Sequence, residues 1–529
     1  MRILTASDHA LLVEAADLDE AMRLNLAWDG VRGVVERIPG ARTVLVRFDP
    51  LVVSAGDLAE ALAATDIDTA HLPVTGEVRV PVRYDGEDLD EAAALLGVSA
   101  AELVNRHLGA DWKVAFSGFA PGFGYVVSSD PLFDVPRRSS PRTRVPAGSV
   151  ALAGQFTGVY PRESPGGWQL IGRTDALMWD IDRDPPALLS PGTTVRFERV
   201  REQVVTSGDA DERADERGVA DRPAVAGAPD PGSPMPAAVE IVRPSLQLLV
   251  QDAGRPGFAA LGVSASGVAD RRAMRDANRA VGNETGAAVL ESVGGAVLRF
   301  RGAGVAAVAG AVGSLELIDD GGVARQIAHG VPFATVDGDE LTLGHPASGL
   351  RYVIAVRGGV AAEPALDSRA SDTLAGLGPA ALAAGDVLRV GDRAPHPVEP
   401  DAMPRALPAP GELVELEITL GPRDDWFTAA ALATLAAQEW TATPRSDRVG
   451  IRLEGAVPLE RSVGGELPSE GAVTGAIQVP PDGQPVLFLP DHPLTGGYPI
   501  IGALTDRSLD LAGQLPPGAR VRFIVKETS

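Results

Sequence analysis

One stretch decides how this chain can fold. Ser207 to Ala237 reads SGDADERADERGVADRPAVAGAPDPGSPMPA, dense in Asp, Arg, Pro and Gly and without an aromatic residue. Such a segment cannot bury enough apolar surface to offset the entropy of ordering it. It predicts a disordered linker over 207–237, between an N-terminal part of about 206 residues and a C-terminal part of about 292. With 45% hydrophobic residues in 529, both parts can build packed cores. The halves therefore read as two proteins joined by fusion.

Charge and residue usage remove whole classes of function. Acidic residues number 71 against 47 basic ones, a net charge of −24, which argues against a nucleic-acid partner. Only Lys113 and Lys526 are lysines. Neither follows a glycine-rich turn, so there is no P-loop, and Lys113 is the sole interior candidate for a Schiff base. Without cysteine the chain has no disulfide, thiolate nucleophile, cysteine-ligated zinc or iron–sulfur cluster. The seven histidines show no HxH or HxxxH pairing, and no GxSxG elbow occurs. No apolar run approaches the ~20 residues needed to span a bilayer, and the first residues are too polar for a signal peptide. The expectation is a cytoplasmic protein with no membrane contact.

Periodicity predicts a mainly β protein with an α+β N-terminal part. Residues 1–76 form the α+β domain, with strands Ala10 to Glu14 and Thr43 to Phe48, helical spacing from Leu18 to Ile38, and a helix capped by Ser54 running to about Ala64. Residues 77–206 begin with strand Val78 to Val82 and two short helices, Asp88 to Leu96 and Ser99 to Leu108. Ser99 and Glu102 have capping-box spacing. Short β runs punctuated by Gly and Pro then predict a barrel. Residues 238–400 form a further β domain whose helix, Asp270 to Val281, stops at Gly282. A Pro-rich spacer, Pro397 to Pro410, leads to a second β domain over 411–529, with strand Val414 to Leu420, helix Asp424 to Ala437 and a hairpin turn at Asp482 to Pro485.

The two halves also share an ordered pattern. Gly148 to Leu152 matches Gly475 to Val479, and Pro165 to Gly172 matches Thr495 to Gly502, with spacings that differ by three residues. Two blocks in the same order predict two copies of one β-module, although glycine-aromatic corners also mark hairpins.

Several motifs carry chemistry. Phe116 to Tyr125 (FSGFAPGFGY) interleaves aromatics with glycines, which suits either a ligand wall with close backbone approach or a packed hairpin. Pro136 to Pro146 holds Arg137, Arg138, Arg142 and Arg144, forks suited to carboxylate or phosphate or simply a solvated turn. Gln155, Tyr160, Arg162 and Glu163 follow in the same module. In the second half, Asp252 and Arg255 suggest a fixed ion pair shaping the loop after Gln251, and Ser264 to Asp270 leads into a helix N-terminus that can face an anion. Ser446 to Leu453 and Ser469 to Gly471 place carboxylates and arginines near the repeated block.

These residues are recognisable. The first part, through Phe116 to Tyr125, Arg142 to Val150 and Pro161 to Trp168, resembles the family of the bacterial 5-oxoprolinase B subunit, also called the kinase-inhibitor or allophanate hydrolase subunit 1 family. The second part, through Val250 to Gly257, Gly358-Gly359, Ser446 to Gly450, Gly475 to Pro480 and Thr495 to Pro499, resembles the family of the 5-oxoprolinase C subunit, or allophanate hydrolase subunit 2. Both modules together are similar to the carboxyltransferase region of urea carboxylase. The resemblance implies cyclophilin-like β-barrel modules repeated in the two halves. It also implies ATP-dependent hydrolysis of 5-oxo-L-proline to L-glutamate with a separate 5-oxoprolinase A subunit. Within the motifs, residue type nominates Arg144, Arg448 and Glu470 as catalytic groups. It nominates Phe119, Pro121, Gly122, Phe123, Arg142, Gln155, Tyr160, Gly166, Gly167, Trp168, Gln251, Asp252, Arg255, Gln478, Thr495, Gly496, Gly497 and Tyr498 as substrate- or nucleotide-binding groups. ATP with Mg2+ is the expected cofactor, and no resident metal site is expected. Two alternatives stay open: a carboxyltransferase-like component acting on urea or another amide with a biotin carrier, and a non-enzymatic kinase-binding protein. Homo-oligomerisation is left open as well.

Overall fold

The computed structural model describes residues 1–67, 75–138, 140, 142–200, 237–399, 405–465 and 467–526. All of the predicted linker but Ala237, and part of the Pro-rich spacer, lie outside them.

The chain opens with an antiparallel sheet of Arg2–Ser7, Ala10–Glu14, Thr43–Phe48 and Val34–Pro39, in that spatial order. Helices Leu18–Ala27 and Ala55–Ala63 cover one face, with Asp17 accepting from the Glu20 N–H at 2.8 Å and Ser54 from that of Asp57 at 3.1 Å. Successive strand residues point to opposite faces. Leu11, Val13, Val44 and Val46 face Met22, Leu24, Trp28 and Leu58, while Ala10, Leu12, Ile38 and Leu45 pack on Val473, Phe488 and Ile500 from the far end of the chain. Both faces are buried, which is why these strands read as unbroken apolar runs. The helical spacing from Leu18 to Ile38 holds only as far as Ala27. Gly30 and Gly33 then take left-handed φ of 73° and 84°, and the β-branched Val34-Val35 enters a strand.

Two seven-stranded barrels follow the same plan. The first runs Gln169–Arg173, Ser149–Ala153, Phe156–Val159, Gly124–Ser128, Trp112–Ser117, Thr193–Arg199, Gly76–Val82. Reciprocal backbone bonds between Arg83 and Arg173, at 2.9 and 2.8 Å, close it. The second runs Ile500–Leu504, Ala476–Gln478, Val486–Phe488, Gly450–Glu454, Trp440–Ala442, Arg520–Val525, Leu413–Leu420. In each, the first and last strands in sequence pair in parallel. Each barrel also carries a two-stranded flap: Arg142–Val145 with Ser164–Gly166, and Glu470–Gly471 with Thr495–Gly496. The sequence repeat is thus one topology used twice. The predicted helix from Asp424 is a 3-10 turn, Asp424–Trp426, then a helix over Ala429–Ala437 that starts where Thr428 accepts the Ala431 N–H at 3.1 Å.

Between the barrels, a seven-stranded and a five-stranded sheet enclose one core. Helix Arg271–Val281 covers the outer face of the smaller sheet, so Val308 and Ile354 point into the core while Ala309 and Val353 meet Met274 and Ala277. Asp270 caps this helix and Gly282 ends it at φ 75°.

Two buried histidines give the fold an acid limit. His107 sits between the Tyr84 hydroxyl at 2.8 Å and the Thr157 hydroxyl at 3.0 Å, and burial pulls its pKa down to about 3. His492 stacks on Phe488, and burial lowers it to about 4. Both are neutral in the fold, so protons bind the unfolded chain first and stability falls as pH drops below the ordinary value of 6.5. Each costs about 2 kcal/mol by pH 5. Asp372, pushed up to about 6 by burial and by Asp491, acts oppositely over the same window. His107→Gln is therefore expected to flatten the fall of melting temperature between pH 7 and 5; an unchanged slope would contradict the assignment.

Candidate active site

A cavity of 380 Å³ lies where the two barrels meet, and the repeated motifs line it from both sides. The first barrel contributes the FSGFAPGFGY loop. Phe119 takes a left-handed φ of 62°, which turns its N–H onto the Thr495 hydroxyl at 2.9 Å. Tyr125 reaches the same hydroxyl at 3.0 Å. Gly118 permits this approach, since a Cβ there would lie 2.7 Å from the Thr495 side chain. Phe123 packs edge-on against Phe119, Tyr160 and Trp168 at 5.3, 5.4 and 5.2 Å, forming an aromatic wall. Gly166 leaves room for the Tyr160 hydroxyl, which would lie 2.2 Å from a Cβ. Burial pushes the Tyr160 phenol well above its usual pKa, so it stays neutral.

The second barrel supplies the opposite wall from the corresponding strands. Gln478 donates to the Tyr498 carbonyl at 3.3 Å, and the Arg461 guanidinium lies 5.9 Å from the centre of the Tyr498 ring. Arg137 bridges the halves, donating to the Ser469 hydroxyl at 2.8 Å and filling the space that a Gly497 side chain would need. Arg138 is held by Asp88 at 2.8 Å.

Of the residues nominated by sequence, Phe119, Phe123, Tyr160, Gly166, Gly167, Trp168, Gln478, Thr495, Gly496, Gly497 and Tyr498 line this cavity. The others do not. Pro121 and Gly122 are in the loop but turned away, Gly122 against Met178 and the Leu261 carbonyl. Arg142 is drawn onto Asp88 and Glu87, Arg144 is exposed beside Glu163, and Gln155 sits exposed at a hairpin end. Glu470 is buried against Arg423, which also holds Glu14. Arg448 is fully buried between Glu291 and Asp491, in a structural setting. Gln251, Asp252 and Arg255 lie buried in the middle domain. Asp252 and Arg255 form no direct pair: Asp252 accepts from Ser368 and the Arg369 N–H, both at 2.6 Å, and Arg255 donates to the Ala365 and Ala370 carbonyls. Sequence reasoning passed over Tyr125, Arg461 and Ser469 as site residues; the first lies in a quoted motif and the last adjoins Glu470, but Arg461 carries no motif signal.

No Asp or Glu stands among the described residues lining the cavity, and among the described residues no group of three or more His, Asp and Glu side chains is placed to hold a metal. The donor set fits a small organic anion or amide between aromatic walls and arginines. Among the described residues no helix is long and apolar enough to cross a membrane.

The family described as carboxyltransferase domain, subdomain A and B matches residues 261–525, and its companion, subdomain C and D, matches 1–189. The chain belongs to this family. It joins in one polypeptide the counterparts of two subunits that are separate elsewhere. The first half is 42% identical over 175 residues to the 5-oxoprolinase B subunit of Escherichia coli O157:H7, covering 32% of this chain and 80% of that protein. The second is 32% identical over 301 residues to the 5-oxoprolinase C subunit of Escherichia coli K12, covering 54% and 90%. The urea amidolyase of Lachancea kluyveri is 31% identical over 314 residues, covering 55% of this chain and 17% of that one. The crystal structure of TTHA0988 superposes with a TM-score of 0.79 at 32% identity, covering 97% of this chain and 99% of that one.

Proposed function

We propose that the chain is the fused B and C component of an ATP-dependent 5-oxoprolinase, which opens 5-oxo-L-proline to L-glutamate together with a separate A subunit. The shared cavity carries this reading: Phe119, Tyr160 and Trp168 come from the half similar to the B subunit, and Gln478, Thr495 and Tyr498 from the half similar to the C subunit. A lactam is a small, flat ring with one carbonyl and one N–H. Aromatic walls exclude water around such a ring, and Gln478 and Thr495 offer matching polar groups. Tyr160, kept neutral by burial, is a donor for negative charge developing on the lactam oxygen. ATP supplies the driving force for opening a stable amide. The reading takes ATP with Mg2+ as the co-substrate, used by the chain together with the A subunit.

The test is to mix the purified chain with the A subunit, ATP and 5-oxoproline and to measure glutamate and phosphate. Production of both, and neither when the chain is omitted, is expected; no turnover in the full mixture overturns the reading. The likeness to urea amidolyase supports urea as a second substrate for the same cavity, and urea-dependent turnover with a biotin carrier would favour it.

A further inference from the structure

We infer that Arg461 receives a carboxylate carried by the substrate, and that the cavity therefore selects carboxylate-bearing lactams over neutral amides. The inference rests on the reading of the cavity as a lactam site and names the residue that sets its specificity.

Several buried or half-buried arginines elsewhere in this acidic chain are neutralised by carboxylates. Arg448 has Asp491 at 3.0 Å, Arg423 has Glu470 at 2.7 Å, and Arg405 pairs with Asp270. Arg138, in the cavity wall, has Asp88 at 2.8 Å. Arg461, like Arg255, forms no salt bridge with a described residue, but unlike Arg255 it lines the cavity. Its Nη2 donates to the Val479 carbonyl, its buried Nε has no acceptor, and no carboxylate among the described residues forms a salt bridge with it. Its Nη1 makes no protein hydrogen bond and is not among the buried unsatisfied atoms, so it stays open to a ligand.

A half-buried guanidinium without a salt bridge is costly, because desolvation penalises its charge, Asp482 offsets that only in part, and its unfilled donors gain nothing in return. Burial does lower its proton affinity. A ligand carboxylate would reverse both costs, since the guanidinium fork suits two carboxylate oxygens. The position is also selective. The Arg461 guanidinium lies 5.9 Å from the centre of the Tyr498 ring in the same cavity wall, close enough for a small ring seated against Tyr498 to present a carboxylate to it. Urea has no group to offer there.

The experiment measures equilibrium binding of 5-oxoproline and of its neutral amide, 5-oxoprolinamide, to the chain alone and with the A subunit. Wild type is expected to prefer the acid. Arg461→Gln is expected to weaken the acid by roughly 30-fold, the worth of a charge-assisted pair, and to leave the amide unchanged. Arg461→Lys should recover part of the loss. In turnover the variant should raise KM for 5-oxoproline far more than it lowers kcat. Amide binding reports that the variant is folded, so equal losses for both ligands, an unchanged acid affinity, or a wild type that does not prefer the acid would each overturn the inference. Acid-selective binding that depends on Arg461, found together with no turnover, would leave the inference standing and remove the 5-oxoprolinase reading instead.

Discussion

Replacing Arg448 with Met is expected to destabilise the protein by about 3–5 kcal/mol, the cost of breaking a buried ion pair from one side. Arg448 has no exposed surface and contacts Glu291, Asp491 and the Gly267 carbonyl. Burial alone would drive the proton off the guanidinium, but the two carboxylates more than offset it and hold its pKa above the ordinary value. Asp491 in turn accepts from Ser266 at 2.6 Å and from the Thr373 hydroxyl at 2.7 Å, while Glu291 accepts the Ala269 N–H at 2.8 Å. One guanidinium therefore ties the second barrel to the middle domain, and its loss strands the buried Asp491 carboxylate and leaves Glu291 with only Arg351 at 3.6 Å. The check is thermal or denaturant unfolding. A melting temperature matching wild type would show that the cluster contributes little, and would reopen a role for Arg448 in chemistry.

The second large effect falls on turnover. Gly118→Val places side-chain atoms where Thr495 now stands, with its hydroxyl and methyl both 2.7 Å from the added Cβ. Thr495 cannot recede, because it is buried and its strand is paired to Glu470–Gly471. The barrels must shift apart, losing the Phe119 N–H bond to Thr495. A displacement of about 1 Å at a catalytic cavity costs on the order of 100-fold in rate, whereas overpacking costs the fold about 1–3 kcal/mol. Steady-state turnover with the A subunit, alongside a melting curve, separates the two. Wild-type turnover from the folded variant would show that the junction of the barrels is not where reaction occurs.

Much of the architecture could be read from the chain because it depends on local chemistry. Ser54, Ser99 and Asp270 cap helices through short-range bonds, and the glycine-aromatic corners recur because both barrels use the same turns. The cavity's aromatic and glycine wall was legible for that reason. The choice among arginines was not. Arg142 and Arg138 are claimed by Asp88, which is about fifty residues away in sequence and also accepts the Leu170 N–H at 2.7 Å. No spacing rule announces a partner at that distance. Arg448 and Arg461 lie thirteen residues apart, yet one is sealed in a charge cluster and the other forms no salt bridge with any described residue. Strand pairing decides which fate each meets. The tertiary role of the N-terminal domain was hidden in the same way. Its sheet buries a second apolar face, through Leu12 and Leu45, against the C-terminal barrel, a partner more than four hundred residues away in sequence.

These contacts make the central claim testable without altering any site residue. The halves are held together by the apolar cluster around Leu12 and Phe488, by Arg423 with Glu14, by Glu36 accepting the Gly257 N–H at 3.1 Å, and by Thr495 at the cavity. None of these contacts uses the 207–237 segment. Residues 1–206 and 238–529 made as two polypeptides should therefore associate. Each alone with the A subunit, ATP and 5-oxoproline is expected to yield no glutamate, and the two together to restore turnover. Full turnover by either half alone would place the site within one barrel and contradict the shared cavity.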